Sequence, residues 1–304
     1  MEISQEILWL SNIPAELGHT NYNKFFLLDL RNYSHPLNES LIAKLAETVC
    51  ATPFADDLLI LEDANSTDAS FRVIGMDQRE ADFCGNGAIY IAAKLGSETN
   101  SKSLRMHSRN GLYTATKLND HWLTHVDKIE TLDIDLDKIN KLNVDSSLIV
   151  GAIWAGEPHL ILKPPKGFKN NTPSQKEFEA FSAPYRDCLG MSGGVNVTMI
   201  MDEGPDKSGS GIQIRTFERG VSRQTASCGS GAIAAAATLL GLDWNGSIKV
   251  SSPGGSHQIQ NAMNGWTLSA KPHQIVTGKC GELIDLSPLS RPKTDHESVS
   301  SSDT

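Results

Sequence analysis

"ADFCGNGAIYIAAKLG" occupies positions 81–96 and "ASCGSGAIAAAATLLG" positions 226–241. Each reads Cys-Gly-Asn/Ser-Gly-Ala-Ile, then an alanine-rich helical run that ends in Leu-Gly. The two cysteines, Cys84 and Cys228, stand 144 residues apart, close to half of the 304-residue chain. A repeat at that spacing predicts two similar halves, each long enough to bury its own core and each donating one helix that begins at a cysteine.

Around the twin motifs, apolar runs bounded by turn residues recur at 25–30, 58–62, 70–77, 111–118, 148–156, 159–163, 195–202, 211–218, 248–252 and 273–280. Their period-two or continuous apolar patterning predicts strands. Helical patterns are fewer: 39–50, the two segments after the cysteines, and 173–189. This ratio predicts a mixed α/β or α+β protein with much antiparallel sheet. The polar segment 164–175 reads as a surface excursion, and the Ser-rich tail after Pro288 as disordered.

A helix N-terminus presents unbonded N–H groups and a partial positive charge, so it attracts anions. Gly85 and Gly87, like Gly229 and Gly231, leave the backbone bare enough for a carboxylate to approach. A thiol there is expected to titrate below its ordinary value. One such element on its own reads first as a small cysteine buried at a tight strand-to-helix turn. Two copies facing one cleft suit a different purpose: one thiolate removes a proton from Cα and the opposite thiol returns one to the other face. The cradled carboxylate takes up developing enolate charge.

The formal charge is -9 and no Lys/Arg cluster stands out, so a nucleic-acid or anionic-membrane partner lacks its electrostatic footprint. A small-molecule partner is expected. The N-terminal stretch has no signal-peptide pattern, and no apolar run approaches the roughly 20 residues of a membrane helix, so the expected location is cytoplasmic. The five cysteines show no CxxC and no metal-ligand spacing, and are expected to be free thiols.

These residues together resemble the diaminopimelate epimerase family, the cofactor-independent two-cysteine amino-acid racemases and epimerases. The resemblance extends through "NKFFLLDL" (23–30), "PFADDLLILE" (53–62), "FRVIGMDQREADFCGNGA" (71–88), "WAGEPHLIL" (154–162), "GGVNVTMIM" (193–201) and "IRTFERGVSRQTASCGSGA" (214–232). It implies an α+β fold of two pseudo-symmetric domains, each a mostly antiparallel, barrel-like sheet around a central helix. The domains would be 1–140, with Cys84, and 141–272, with Cys228. A strand near 273–286 would return to the first domain, and 289–304 would form the tail. The resemblance implies Cys84 and Cys228 as the acid/base pair, with Gly85, Asn86, Gly229 and Ser230 on the substrate carboxylate. Asn23, Asn196, Glu218 and Arg219 match substrate-contacting positions. Neither pyridoxal phosphate nor any other cofactor or metal is implied, and a homodimer is common among such enzymes.

The departures bear on the substrate. Gly75 stands where the family usually carries an Asn, Glu157 replaces the usual Asn before "PH", and Asp57 follows "AD" in place of a small or polar residue. One extra residue separates "ERGV" from Cys228. These changes remove amides suited to a distal carboxylate and add two carboxylates. They point to a free amino acid other than diaminopimelate, with Asp57 and Glu157 favouring a cationic or hydrogen-bond-donating side chain such as histidine, arginine or lysine. Against this stand two loop carboxylates that merely pair with nearby basic groups, and a genuine diaminopimelate epimerase.

His159 reads as structural, since two thiols supply both proton transfers. His107, His121 and His125 lack partners at metal spacing, and Cys50, Cys188 and Cys280 lack the glycine-helix context. Trp154 fits either the pocket or the core. A thiol redox protein switching Cys84 and Cys228, an amino-acid-binding protein, or a dehydratase or isomerase sharing the Cα deprotonation step are the rival functions.

Overall fold

Alternation on one strand shows how the molecule is layered. In the run Phe25–Leu28, Phe25 and Leu27 enter one hydrophobic core while Phe26 and Leu28 enter another, all fully buried. A strand covered on both faces reads as a continuous apolar run, and each such side chain contributes about 1.5–3 kcal/mol of burial. The computed structural model describes residues 3–33, 37–109, 111–126, 128–170, 172–202, 211–263 and 265–290.

The first half of the chain supplies β1 (Pro14–Thr20), β2 (Asn23–Asp29), β3 (Asp57–Glu62), β4 (Ala69–Ile74), β5 (Ser103–Ser108), β6 (Gly111–Leu118), β7 (His121–Val126) and β8 (Ile129–Thr131). Along β1 to β7 the neighbours pair antiparallel, parallel, antiparallel, parallel, antiparallel and antiparallel. The second half supplies β9 (Ile149–Ala155), β10 (Pro158–Leu162), β11 (Asn196–Asp202), β12 (Ile212–Glu218), β13 (Arg223–Gln224), β14 (Gly246–Ser252), β15 (Gly255–Ala262), β16 (Gly265–Ala270) and β17 (Pro272–Lys279). With β13 set aside as a short strand on β12, the run β9 to β16 repeats the same order of pairings. β7 and β16 join the two runs. The outermost strands are exchanged: β8 pairs with β9, and β17, from the chain's end, pairs with β1.

The helices are α1 (Ile3–Leu10), α2 (Glu39–Cys50), α3 (Gly85–Thr99), α4 (Leu136–Ile139), α5 (Lys166–Asn170), α6 (Gln175–Ser182), α7 (Gly229–Leu240) and α8 (Cys280–Leu283). α3 and α7 run inside the curled sheet, where their small residues are buried through most of their length. A helix apolar on all sides belongs in the interior. Both sit in one continuous core, flanked by an outer core under α2 and another under α6. At the back of α3, Tyr90 donates to Glu16 at 3.1 Å, and Lys94 pairs with Glu16 and, at 2.9 Å, with Glu98.

Register makes the internal symmetry explicit. Phe25 lies opposite Asp57 as His159 lies opposite Asn196, and Leu58 opposite Ile74 as Val197 opposite Phe217. Counting from these pairs, Asn23 corresponds to Glu157, Asp57 to Asn196, and Gly75 to Glu218. By the same register Tyr113 corresponds to His257.

Three local expectations change. The single helix expected over 173–189 is α6 followed by a 3-10 turn, Ala183–Asp187, entered through Pro184. The strand expected over 70–77 stops at Ile74, because Gly75 to Gln78 form a turn with Gln78 at φ 63°. The excursion at 164–175 contains the short α5. From residue 291 onward the expected tail lies outside the described residues. Among the described residues no helix is long and apolar enough to cross a membrane.

Candidate active site

Cys84 and Cys228 are the N-caps of α3 and α7, both with extended backbone. Each sulfur accepts the N–H three residues on, from Gly87 at 3.3 Å and from Gly231 at 3.4 Å. The residue before each glycine-rich turn ends an extended segment, so the thiol takes the place usually held by a Ser or Asp cap. The first two N–H groups of each helix have no intrahelical acceptor. They belong to Gly85 and Asn86 on α3 and to Gly229 and Ser230 on α7.

Both helix ends open into one cavity of about 510 Å³. Cys84, Cys228, Asn23, Asp57, Gly85, Asn86, Glu157, Asn196, Glu218, Arg219, Gly229 and Ser230 all line it, as does Gly75. The helix ends also touch one another. The Asn86 amide donates to Asn23 Oδ1 at 3.2 Å and reaches Ser227 O at 3.4 Å, while its oxygen lies 2.8 Å from His257 Nε2. Leu268, fully buried, packs beneath Gly85 and Gly229: a Cβ added to either would fall within 2.7 Å of its Cδ2.

Further contacts cross between the halves at the cleft's mouth. Asp77 N–H donates to Gly220 O at 3.3 Å, and Arg223 pairs with Asp56 at 2.6 Å. Glu157 accepts the N–H groups of Asp82 at 2.8 Å and Phe83 at 3.3 Å, and its other oxygen pairs with Arg219. Arg219 also donates to Gly194 O at 3.2 Å, and its backbone N–H donates to Asn196 at 2.9 Å. The Glu157 carboxylate is thus engaged by a nearby basic group, while Asp57 accepts from Asn23 at 3.3 Å beside the helix ends.

The electrostatics reverse one expectation. Both thiols were expected below their ordinary range, and both are pushed well above it. Burial is the largest cause for each. For Cys84 the Asp57 carboxylate adds to it, with Glu218 and Glu157 behind, and the Gly87 N–H pulls the other way. For Cys228 the Glu218 carboxylate adds, against the hydrogen bonds of Ser230 and Gly231. A helix terminus supplies only a partial charge, which cannot offset desolvation plus nearby full negative charges. The carboxylates feel the same pressure. Burial, then Glu218 and Asp56, raise Asp57 well above the carboxylate range, and burial carries Glu218 to about 7 against a hydrogen bond from Thr225.

His159 is fully buried, bonded to Ser230 Oγ at 2.9 Å and Thr198 Oγ1 at 3.0 Å, and burial lowers it to about 3. It stands neutral behind Ser230, as a structural histidine would. No local motif marks His257, which is buried, lowered by that burial to about 4, and holds Asn86 in place. Its position on β15, 171 residues from Asn86, leaves no local signal; only the register match to Tyr113 points to it. Trp154 lines a neighbouring cavity of about 430 Å³ beyond Phe83. Cys50, Cys188 and Cys280 are buried and do not line the cavity, and all five cysteines are free. Among the described residues no group of three or more His, Cys, Asp or Glu side chains could hold a metal ion.

No protein-family profile matches the chain. Solved structures share its fold. A probable proline racemase from Agrobacterium radiobacter aligns with a TM-score of 0.64 at 14% identity, over 91% of this chain and 94% of its own. A hydroxyproline epimerase from Agrobacterium vitis aligns with a TM-score of 0.61 at 14% identity, over 89% and 92%. A PhzF-family phenazine biosynthesis protein from Bacillus anthracis gives 0.59 at 13%, over 88% and 98%. The fold is therefore the α+β fold of these racemase, epimerase and PhzF-family structures.

Sequence relatives narrow the class. The chain is 28% identical over 281 residues to diaminopimelate epimerase of Corynebacterium glutamicum, covering 88% of this chain and 98% of that one. To the diaminopimelate epimerase of Flavobacterium psychrophilum it is 26% identical over 244 residues, covering 78% and 86%. The resemblance read from the motifs extends over most of the chain: the protein is similar to the diaminopimelate epimerases, and it is an isomerase.

Proposed function

We propose that the protein is a cofactor-independent amino-acid racemase in which Cys84 and Cys228 exchange protons with Cα from opposite faces. One observation carries the reading: two cysteine-capped helices, related by the internal symmetry, open their N-termini into a single cavity. The substrate carboxylate lies against the N–H groups of Gly85, Asn86, Gly229 and Ser230, where enolate charge is stabilised as Cα loses its proton. Asn23 and His257 hold the Asn86 side chain, and His159 holds Ser230, so both turns keep their shape during the transfer.

The raised thiols fit a site completed by its ligand. A bound ammonium beside Asp57 and Glu218 offsets the charges that hold the sulfurs protonated, so a thiolate forms in the complex more readily than in the free enzyme.

The substrate is a free amino acid other than diaminopimelate, with histidine, arginine and lysine first in line. A Cβ added at Gly75 would have Asp77 Oδ1 at 3.3 Å and Gly220 O at 3.4 Å as its nearest neighbours. The nearest groups at this point of the cavity wall are oxygen acceptors, which suit a donating or cationic group on the ligand. The curated relatives favour diaminopimelate itself as the second reading.

The test incubates the protein with each L-amino acid in deuterated water and follows Cα deuteration together with loss of optical rotation. Exchange with racemisation of a basic amino acid supports the proposal. Absence of exchange for every amino acid, diaminopimelate included, rejects it, and turnover of diaminopimelate well above all basic amino acids selects the second reading.

A further inference from the structure

We propose that Glu157 determines specificity: it is a built-in carboxylate that fills the Arg219 guanidinium from within the protein and restricts the enzyme to amino acids bearing a single carboxylate. The inference rests on the racemase reading above and names the substrate class that reading leaves open.

Arg219 lines the cavity with its side chain 19% exposed. Its Nη2 pairs with Glu157 Oε2 and lies 3.9 Å from Asp82 Oδ2, and its Nη1 is spent on Gly194 O. Glu157 is only 7% exposed, and its second oxygen takes the N–H groups of Asp82 and Phe83. A second substrate carboxylate reaching Arg219 meets two carboxylates already there. Displacing Glu157 would strip two backbone N–H groups of their acceptor in the segment leading into Cys84, a cost the ligand must meet in full.

The cavity's other guanidinium groups offer no buried substitute. Arg72 is held by both oxygens of Glu39, at 2.9 and 2.8 Å, and by Glu80 at 3.0 Å. Arg79 and Arg109 are exposed. Internal symmetry sharpens the point, since Glu157 corresponds to Asn23, a neutral residue that hydrogen-bonds Asp57 and Asn86. The equivalent positions thus carry a neutral amide in one half and a carboxylate paired with Arg219 in the other.

The experiment compares the wild type with Glu157→Gln. The amide still accepts from Asp82 and Phe83 but no longer neutralises Arg219. Cα deuteration of the monocarboxylic amino acid that the wild type turns over fastest is the reference reaction, and diaminopimelate and glutamate are the dicarboxylic probes, as substrates and as inhibitors. In the wild type, both probes are expected to exchange and inhibit at least about tenfold more weakly than the reference amino acid binds and reacts. In Glu157→Gln, inhibition by the probes strengthens about tenfold relative to the reference KM.

A purely structural role would weaken probes and reference alike. An unchanged ratio overturns the assignment while leaving the racemase reading intact, whereas absence of any exchange in the wild type removes the racemase reading itself. Should Glu157→Gln fail to fold, the wild-type comparison decides: inhibition by diaminopimelate as strong as that by lysine overturns the assignment.

Discussion

Replacing Glu218 by Gln tests the protonated state of the cleft without any knowledge of the substrate. Burial carries the Glu218 carboxyl from an ordinary 4.5 to about 7. The folded protein therefore holds this proton more tightly than the unfolded chain. Stability contributed by the raised group is fully present below the unfolded value and is lost as pH rises through about 7.

A tenfold difference in proton affinity between the folded and unfolded states is worth about 1.36 kcal/mol, so the whole effect is about 3 kcal/mol, of which about 2.5 falls between pH 5 and pH 8. Glutamine keeps an oxygen for the Thr225 hydroxyl and carries no charge at either pH. Urea unfolding of both proteins is therefore expected to show the variant gaining about 2.5 kcal/mol relative to wild type on going from about pH 5 to about pH 8. Both proteins keep Cys84 and Cys228, so the titration of these thiols in the unfolded chain cancels in the comparison. A variant-minus-wild-type difference that stays constant between the two pH values would refute the reasoning.

Two further substitutions probe the frame. Leu268→Ala empties the fully buried contact beneath both helix ends and is expected to cost about 2–5 kcal/mol in chemical denaturation, with deuteration slowed because both turns lose their support. A change in stability below about 1 kcal/mol would show that the residue does not wedge the helices. Gly156 has φ 78°, and an added Cβ would lie 2.5 Å from Phe83 Cβ, so Gly156→Ala is expected to lower the thermal midpoint and displace Phe83 from its stacking on Tyr113. A wild-type melting curve and unaltered aromatic circular dichroism would contradict this.

What the sequence disclosed follows from where apolar residues fall. α2 was legible to the residue because its buried positions recur at helical spacing and Asn38 caps it. β2 was legible because both faces of the strand are buried. β1 was missed: Gly18 stands there because the Tyr90 ring lies within 2.4 Å of any added Cβ, and a strand that makes room in this way carries no apolar rhythm. β15 was missed because exposed Gln258 and Gln260 alternate with inward His257 and Ile259, one of them polar. In the site, the twelve residues named in advance line one cavity: the turns at Cys84 and Cys228 are legible as local motifs, whereas Asn23, Asn196, Glu218 and Arg219 are implied by the family resemblance alone, and Asp57 and Glu157 by departures from it. Thiol acidity went the other way because it depends on burial and on Asp57 and Glu218, which only the folded sheet brings to the cysteines. The Glu157 pairing with Arg219, 62 residues apart, was equally out of reach of local pattern.

The central claim is that both thiols move the proton. Its most direct test follows Cα deuteration and racemisation of each enantiomer in deuterated water by the wild type, Cys84→Ala and Cys228→Ala. Loss of racemisation in both single variants, by a factor on the order of a hundred to ten thousand, is the expected result. Near wild-type turnover in either single variant would contradict it.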